Sequence, residues 1–445
     1  MAKTLKQRMA ELIPKLREER SQLMKEARDV VISQVTIEQA IGGMRGIKGM
    51  VCDTSLVEPD TGLVIRGIPI KDLTDKLPEE IFWLLLTGEM PSKEELAGFQ
   101  KELKKNSKVP DYVWKVLKAM PKTSHPMAML DTAILAMENE SLFRKQYTKG
   151  MHKNEYWEPA LDDSMRILGT IHAIAAGVYR IKYKKGPIVK SSPKLDWSAD
   201  YCHMLGIDNP KVKKGQKKPS KDEIYDMMRL YLVLHSDHEG GNVSANTCHT
   251  VGSALSDPYY SVSAGLNGLA GPLHGLANQE CLGWVLETIK KFKGAPTEEE
   301  LEKYAWETLN AGHVVPGYGH AVLRITDPRF DAFREFGAKY MPNDPVFQTV
   351  DRVFKVVPRV LKEHGKAKDP WPNVDAASGA LLWYYGLKEF DYYTVLFSVS
   401  RSMGMLAQLV LNRALGTPIT RPKSVGTDWL KAQAAKAKAQ KPVAV

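Results

Sequence analysis

Two histidines stand close to an acidic residue in His235-Ser-Asp-His238-Glu239, a pattern that could bind a metal ion. Histidines three apart share one face of a helix, and zinc sites use such pairs. The order H-x-x-H-E is, however, neither the HExxH of zincins nor the HxxEH of inverzincins. A histidine hydrogen-bonded in a polar core and a histidine that binds an anion are the alternatives to a metal ligand.

His274 follows Gly271-Pro272, and Pro272 fits the first position of a helix. We therefore expect His274 in the first helical turn, where the positive end of the helix dipole disfavours an imidazolium ion. A neutral imidazole held there can donate a hydrogen bond to a developing oxyanion. A purely structural histidine is the alternative.

Two turn-rich clusters each end in one titratable side chain, as catalytic loops often do: 312–320 ends in His320 and 371–375 ends in Asp375. Asp375 lies among apolar residues, and desolvation there would raise the pKa of its carboxyl toward that of a useful general base. Capping of the helix that follows is an equally good explanation of this aspartate.

Several other chemistries lack their motifs. No GxGxxG follows a strand, and no GxxxxGK[ST] or G-x-S-x-G occurs in the sequence. The Rossmann and P-loop routes to nucleotide binding and the serine-hydrolase route are therefore not indicated.

The elements that would position these residues are mostly helices. Residues 222–235 and 390–412 are long, apolar and aromatic, which is typical of helices buried on several sides. Residues 55–66 predict one minor β-hairpin around a Pro-Asp-Thr-Gly turn. No βαβ alternation and no repeat of 20–50 residues is present. The sequence predicts an all-α fold.

The net charge of +10 comes from three lysine-rich stretches that contain no acidic residue: 182–194, 211–221 and the tail 431–445. The remaining chain is slightly acidic, so no basic face for nucleic acid is expected. The uncharged run 258–279 is rich in glycine and polar residues, which excludes a membrane span. The four cysteines form no CxxC pair, and the N-terminus resembles neither a secretory signal nor a transit peptide. We expect a cytoplasmic protein, bacterial in the first instance, with a mature mitochondrial form as the alternative.

Six segments resemble the citrate synthase family, in the branch that contains the mitochondrial enzyme and its bacterial relatives. They follow one another in the family's order over nearly the whole chain: GGMRGIKG (42–49), LHSDHEGGNVSA (234–245), GLNGLAGPLHGLANQE (265–280), VVPGYGHAVLRITDPR (314–329), HGKAKDPWPNVDAASG (364–379) and RALGTPITRPKS (413–424).

The resemblance implies a homodimer in which each subunit has a large helical domain (1–275 and 387–445) and a small one (276–386), with the active site in the cleft between them. It implies a transferase of the citrate (Si)-synthase type, acting in the tricarboxylic acid cycle. Acetyl-CoA and oxaloacetate would be condensed, and citryl-CoA would be hydrolysed to citrate and CoA. Acetyl-CoA is a substrate here, and no metal or other cofactor is implied.

The resemblance also assigns roles to residues. Asp375 would be the base for the acetyl methyl group, His274 the hydrogen-bond donor to the enol or enolate, and His320 the group that activates the oxaloacetate ketone. Oxaloacetate would be bound by His238, Arg329, Arg401 and Arg421, the last contributed to the partner subunit's site. CoA would be bound by Arg45, Val314, Val315, Gly317, Tyr318, Gly319, Arg324, Lys366 and Lys368.

Two alternatives to this function remain at the level of the sequence. One is a 2-methylcitrate synthase that uses propionyl-CoA, because one methylene in an apolar pocket discriminates by only about 1–3 kcal/mol. The other is a catalytically silent helical protein that binds CoA or another anion. Neither the acyl preference, nor regulation, nor the role of the lysine-rich loops can be derived from the motifs.

Overall fold

The computed structural model describes residues 2–210, 218–275, 277–320, 322–367 and 369–439. The regular secondary structure there is mostly helical, which confirms the predicted all-α class. The α-helices are α1 Leu5–Ala27, α2 Ile37–Ile41, α3 Pro78–Thr87, α4 Lys93–Lys105, α5 Asp111–Ala119, α6 Pro126–Ala136, α7 Leu142–Tyr147, α8 Trp157–Lys182, α9 Trp197–Leu205, α10 Lys221–Leu234, α11 Val243–Ser253, α12 Pro258–Leu269, α13 Ala277–Phe292, α14 Glu298–Asn310, α15 Pro328–Tyr340, α16 Pro345–His364, α17 Asp375–Tyr384, α18 Tyr393–Ala414 and α19 Thr427–Ala439. Short 3₁₀ turns cover Ile70–Leu73, Met137–Glu140, Lys153–Glu155 and Phe390–Tyr392.

A small antiparallel sheet accompanies the helices. The predicted hairpin is present as β1 (Ser55–Glu58) and β2 (Gly62–Ile65), which pair in the register Ser55 to Ile65. A third strand, β3 (Ile68–Pro69), adds to the other edge of β2 and was not predicted. Two residues are too few to give an alternating pattern in the sequence, so only the pairing itself reveals this strand.

Helix α18 forms the centre of the larger helical body. Every residue of α18 except Asn412 is buried, and the helix packs on α3, α6, α8, α10, α11 and α12. Residues 390–414 are long and apolar enough to cross a membrane, but their most apolar window is 100% buried inside the fold. Hydropathy of this kind is what a helix surrounded by other helices requires.

Helices α13 to α17 form a second group. Helix α17 packs on α13, α15 and α16, and α14 packs on α16. This group joins α18 through Gly386, whose φ of +96° only glycine adopts without strain. The predicted domain boundaries at 276 and 386 stay predictions, and Leu276 lies outside the described residues.

Candidate active site

His274 lies in a turn between α12 and α13 rather than in the first turn of a helix. The chain folds back at the end of α12, where the Gly275 N–H donates to the Leu269 carbonyl at 3.1 Å, and α13 begins only at Ala277. A Cβ at residue 275 would collide with that carbonyl. The predicted helical position of His274 is therefore wrong, because a tertiary turn overrides the local Pro272 signal.

The ring of His274 is held by Ser244 at the start of α11. Its Nε2 accepts the Ser244 backbone N–H at 3.3 Å and lies 3.0 Å from the Ser244 hydroxyl. Because Nε2 accepts from a backbone donor, the ring proton of neutral His274 belongs on Nδ1. Burial, together with the charge of Arg401, lowers the pKa of His274 to about 4. The result is a neutral imidazole whose Nδ1–H makes no hydrogen bond within the described residues, and no helix dipole is needed to keep it neutral.

His320 has the complementary arrangement. Its Nδ1 accepts the backbone N–H groups of Val322 and Leu323, each at 3.0 Å, so the ring proton belongs on Nε2. Burial and the nearby Arg329 cation lower the pKa of His320 to about 4. Its ring centroid lies 5.5 Å from that of His238, which brings two of the predicted site residues side by side.

The two histidines of the H-x-x-H-E segment have different environments. His235 is a core histidine, with Nδ1 2.9 Å from the Tyr231 carbonyl and its ring stacked on that tyrosine. His238 has a buried Nε2 without a hydrogen-bond partner among the described residues. Burial and the cations Arg329 and Arg401 hold the pKa of His238 well below its usual value. Within the described ranges, no group of three His, Cys, Asp or Glu side chains could hold a metal ion.

Asp375 is the first residue of α17, but it does not cap the helix. The Asp375 backbone N–H donates instead to the Asn373 side-chain oxygen at 3.0 Å. Asp375 is half-buried, and the surrounding protein desolvates its carboxyl enough to raise its pKa to about 6, although the Arg329 and Arg401 cations act to lower it. A carboxylate of this pKa can act as a general base near neutral pH.

Backbone pairing fixes the His320 loop against the Asp375 loop. The Gly319 N–H donates to the Trp371 carbonyl at 2.9 Å, and the Asn373 N–H donates to the Gly317 carbonyl at 2.9 Å. The Asn373 side chain also donates to the Gly319 carbonyl at 3.0 Å. These bonds set the relative positions of the two catalytic candidates, although 55 residues separate them in the sequence.

Two buried arginines lie beside this cluster. Arg401 on α18 donates to Asn242 Oδ1 at 3.2 Å, to Ser244 Oγ at 3.4 Å and to the His235 carbonyl at 3.2 Å. Burial lowers its pKa to about 10, which leaves the guanidinium charged. Since none of these acceptors is charged, Arg401 keeps a positive charge available for an anion.

Arg329 near the start of α15 is buried in an ion pair with Asp327. Its Nε lies 3.0 Å from Asp327 Oδ1, and its Nη2 lies 2.6 Å from Oδ2. The pair fixes the direction of the guanidinium, and Nη1 remains as the donor that Asp327 does not use.

The whole chain can be compared with known proteins. The family model of the citrate synthase C-terminal domain matches residues 43–423. The chain belongs to the citrate synthase family. It is 48% identical to the mitochondrial citrate synthase 4 of Arabidopsis thaliana over 97% of this chain and 91% of that protein. It is 49% identical to the mitochondrial 2-methylcitrate synthase of Yarrowia lipolytica over 95% of this chain and 91% of that protein. The crystal structure of citrate synthase from Pyrobaculum aerophilum is 27% identical, covers 87% of this chain and 92% of that one, and has a TM-score of 0.74.

The structure brings together most of the residues that the family resemblance assigns to chemistry. His274 and Arg401 both contact the Ser244 hydroxyl, the His238 and His320 rings are neighbours, and the His320 loop is paired with the loop before Asp375. The Arg329 cation lowers the pKa values of His238 and His320. Arg421 is not among them: it is exposed on the extended segment after α18.

The residues expected to bind CoA do not form one cluster among the described residues. Val315, Gly317, Tyr318 and Gly319 belong to the paired loop, and Val314 beside them is 76% exposed. The basic residues Arg45, Arg324 and Lys366 are exposed, while Lys368 lies outside the described residues.

Four residues that hold predicted site residues in place were not predicted from the sequence: Asn242, Ser244, Asp327 and Asn373. All four lie inside the matched motifs, within six residues of a predicted site residue, so motif position was the only available signal.

Proposed function

We propose that this chain condenses acetyl-CoA with oxaloacetate and hydrolyses the resulting citryl-CoA to citrate and CoA. The observation that carries the proposal is the protonation pattern of the cluster. His274 and His320 are neutral donors with opposite tautomers, and Asp375 is a carboxylate with a pKa near neutral. Enolisation of a thioester needs a base on one side and an oxyanion donor on the other.

In the first step Asp375 removes a proton from the acetyl methyl group. The negative charge moves to the thioester oxygen, where the Nδ1–H of His274 donates a hydrogen bond. A neutral donor suits this role, because an imidazolium would be too costly in so buried a position.

In the second step the enol or enolate carbon attacks the ketone carbon of oxaloacetate. The Nε2–H of His320 hydrogen-bonds the ketone oxygen and supplies the proton as the carbon–carbon bond forms. Arg401 and Arg329 bind the two carboxylates, since guanidinium donors match carboxylates, and His238 contributes its unpartnered Nε2. Hydrolysis of the citryl thioester then drives the sequence forward. The proposal involves no cofactor.

A thiol-release assay with acetyl-CoA and oxaloacetate tests this function. We expect CoA to be released only when both substrates are present, and citrate to accumulate in equal amount. A protein that binds CoA without releasing thiol would instead be the silent anion-binding protein.

A second function has support from one relative, the 2-methylcitrate synthase of Yarrowia lipolytica. That activity uses propionyl-CoA on the same catalytic groups, so the acyl pocket alone distinguishes the two. The same assay with propionyl-CoA decides, and a kcat/KM for acetyl-CoA at least tenfold above that for propionyl-CoA supports the first function.

We propose a mitochondrial location rather than the bacterial cytoplasm expected from the sequence. Both relatives reported above carry mitochondrial names and match nearly the whole chain. Fractionation of the source cells against a matrix marker would test the location, and recovery with a cytosolic marker would contradict it.

We propose further that the chain is a homodimer that closes on oxaloacetate. Exposed apolar residues near the N-terminus support contact with a second copy of the chain, among them Val30, Val31, Ile32 and Ile41.

The proposed closure follows from where the oxaloacetate ligands lie. Arg401 belongs to the predicted large domain and Arg329 to the small one. A ligand that bridges both favours the closed state. Small-angle scattering should therefore show a smaller radius of gyration with oxaloacetate alone, and no change at saturation would contradict closure.

A further inference from the structure

The proposed mechanism does not use the buried carboxyl group of Asp237, which lies near Arg401. Asp237 is fully buried between the two histidines of the H-x-x-H-E segment. Its Oδ2 accepts the hydroxyls of Thr54 at 2.5 Å and Ser55 at 2.8 Å, and its Oδ1 accepts the Gln408 side-chain amide at 2.8 Å. All three donors are neutral. Burial raises the pKa of the Asp237 carboxyl, and the hydrogen bonds from the two hydroxyls and the Arg401 cation oppose that rise.

Helix α18 presents one face to this carboxylate. Arg401, Gly404 and Gln408 are spaced three and four residues apart, which places them on the same side of the helix. A side chain at residue 404 would collide with Asp237 Oδ1, and the Gly404 N–H donates to the Ser236 carbonyl at 3.0 Å. The helix therefore approaches Asp237 closely at the point where it also carries Arg401.

Asp237 and Arg401 influence each other without touching. Among the described residues the two form no salt bridge, and each makes its hydrogen bonds to neutral groups. The negative charge of Asp237 nevertheless raises the pKa of Arg401 against the effect of burial. Each charge thus reduces the cost of burying the other through space.

We infer that Asp237, acting through Arg401, weakens the binding of oxaloacetate. The inference rests on the proposed function. In the empty site Asp237 is a fixed counter-charge for Arg401. When oxaloacetate binds, its carboxylate takes over that task and is repelled by Asp237.

The variant Asp237→Asn tests this inference because it removes the charge and keeps the shape. The Thr54 and Ser55 hydroxyls can accept as well as donate, so the amide retains hydrogen bonds to its neighbours. We expect an oxaloacetate Kd about three- to tenfold lower by calorimetry, since the variant loses a repulsion inside the protein. A merely structural role would raise the Kd instead.

The matched control is Thr54→Val, which removes one hydrogen bond to the same carboxylate and leaves its charge. It should not tighten oxaloacetate binding, because the charge of Asp237 remains. A second test is Gln408→Lys, whose ammonium group would form a direct ion pair with Asp237. This variant should lower the oxaloacetate Kd as Asp237→Asn does, and it keeps the inference testable if the asparagine variant does not fold. An unchanged or raised Kd in the folded variants overturns the inference. Wild-type protein that binds no oxaloacetate overturns the proposed function, and this inference with it.

Discussion

At the scale of single residues, the protonation of each catalytic candidate is set by its immediate neighbours. His274 and His320 have pKa values of about 4, while burial raises the pKa of Asp375 to about 6. At neutral pH the two histidines are therefore neutral donors and Asp375 is an ionised acceptor. The backbone donors that occupy one nitrogen of each imidazole select which nitrogen carries the proton. Burial sets the charge, and local hydrogen bonds set the tautomer.

Replacing Asp375 by Asn should abolish turnover and leave oxaloacetate binding largely intact. The amide cannot take the methyl proton, and loss of a general base typically costs about 10²–10⁴-fold in rate. The arginines that we propose to bind the keto acid remain. We would measure turnover by thiol release and oxaloacetate binding by calorimetry on the same preparation. An Asp375→Asn enzyme that remains active would remove this residue from the base role.

The same substitution should make the fold more stable at pH 8. The pKa of Asp375 is higher in the folded protein than in the unfolded chain. Above pH 6 its ionised form therefore destabilises the fold, and the neutral amide of Asn does not. The gain should be about 2 kcal/mol in the free energy of unfolding, since water in the cleft screens part of the effect. It should vanish near pH 4, where the wild-type carboxyl is protonated in the folded state. Denaturant unfolding at the two pH values checks the sign, and equal stabilities at pH 8 would contradict it.

The pH dependence of activity should follow Asp375. Because the base must be ionised, kcat/KM should rise as the pH rises through about 6 and level off above it. Neither histidine should add a limb between pH 5 and 8, since both are already neutral there. Initial rates across pH 4.5–8.5 would test this, and a kcat/KM that stays constant from pH 5 to 8 would contradict a base with a pKa of about 6.

The sequence could name these residues but not their supports. His274, His320 and Asp375 stand in distinctive motifs, whereas the role of Ser244 depends on a contact with a residue 30 positions away. The Asp237 network joins residues more than 170 positions apart. Such partners are ordinary serines, threonines and glutamines in the sequence, and only the folded chain distinguishes them.

At the scale of elements, the two paired loops position the proposed catalytic residues His320 and Asp375, and the glycines of the first loop allow them to pair. Gly317 has a φ of +82°, and a Cβ there would lie 2.9 Å from both the Ala376 Cα and the Cys281 sulfur. Glycine is therefore required at position 317 for two reasons: its φ is positive, and a side chain there would not fit. Gly312, five residues earlier, has a φ of +80° with open space around it.

This pair of glycines gives a matched experiment. Gly317→Ala and Gly312→Ala should each lose about 1 kcal/mol of stability from backbone strain. Only Gly317→Ala should also push the paired loops apart, so we expect its kcat/KM to fall at least tenfold while that of Gly312→Ala stays within about twofold. Thermal unfolding and thiol-release kinetics on both variants separate the two effects. Equal kinetic losses would show that the close approach to Ala376 is unimportant.

Helices were easier to predict than the turns between them. The apolar stretches that predicted buried helices correspond to α10 and α18, because burial on several sides leaves a continuous apolar pattern. The turn that holds His274 depends instead on a backbone bond to Leu269 and on the Thr394 hydroxyl, which donates to the Gly275 carbonyl at 3.1 Å. Neither contact leaves a mark in the local sequence.

At the scale of the whole molecule, the exposed Arg421 should act across the proposed dimer. Asp375→Ala and Arg421→Ala are each expected to be nearly inactive. After dissociation, mixing and reassociation, half the dimers are mixed, and each mixed dimer holds one site with both groups intact. About a quarter of wild-type activity should then return. Thiol-release rates before and after mixing provide the measurement.

Two controls make this complementation decisive. Each variant taken alone through dissociation and reassociation should recover no activity, and native mass spectrometry should detect the heterodimer. If Arg421 served its own subunit, every site in the mixture would be defective. Confirmed heterodimers without activity would therefore assign Arg421 to its own subunit.

The central position of α18 has a consequence for the order in which the chain folds. The helices that pack on Tyr393–Ala414 all precede it in the sequence: α3, α6, α8, α10, α11 and α12. Until α18 inserts among them, their inner apolar faces remain in contact with water. The larger helical body therefore completes its folding only when α18 joins it. A variant that lacks residues 386–445 would lose its core rather than its tail.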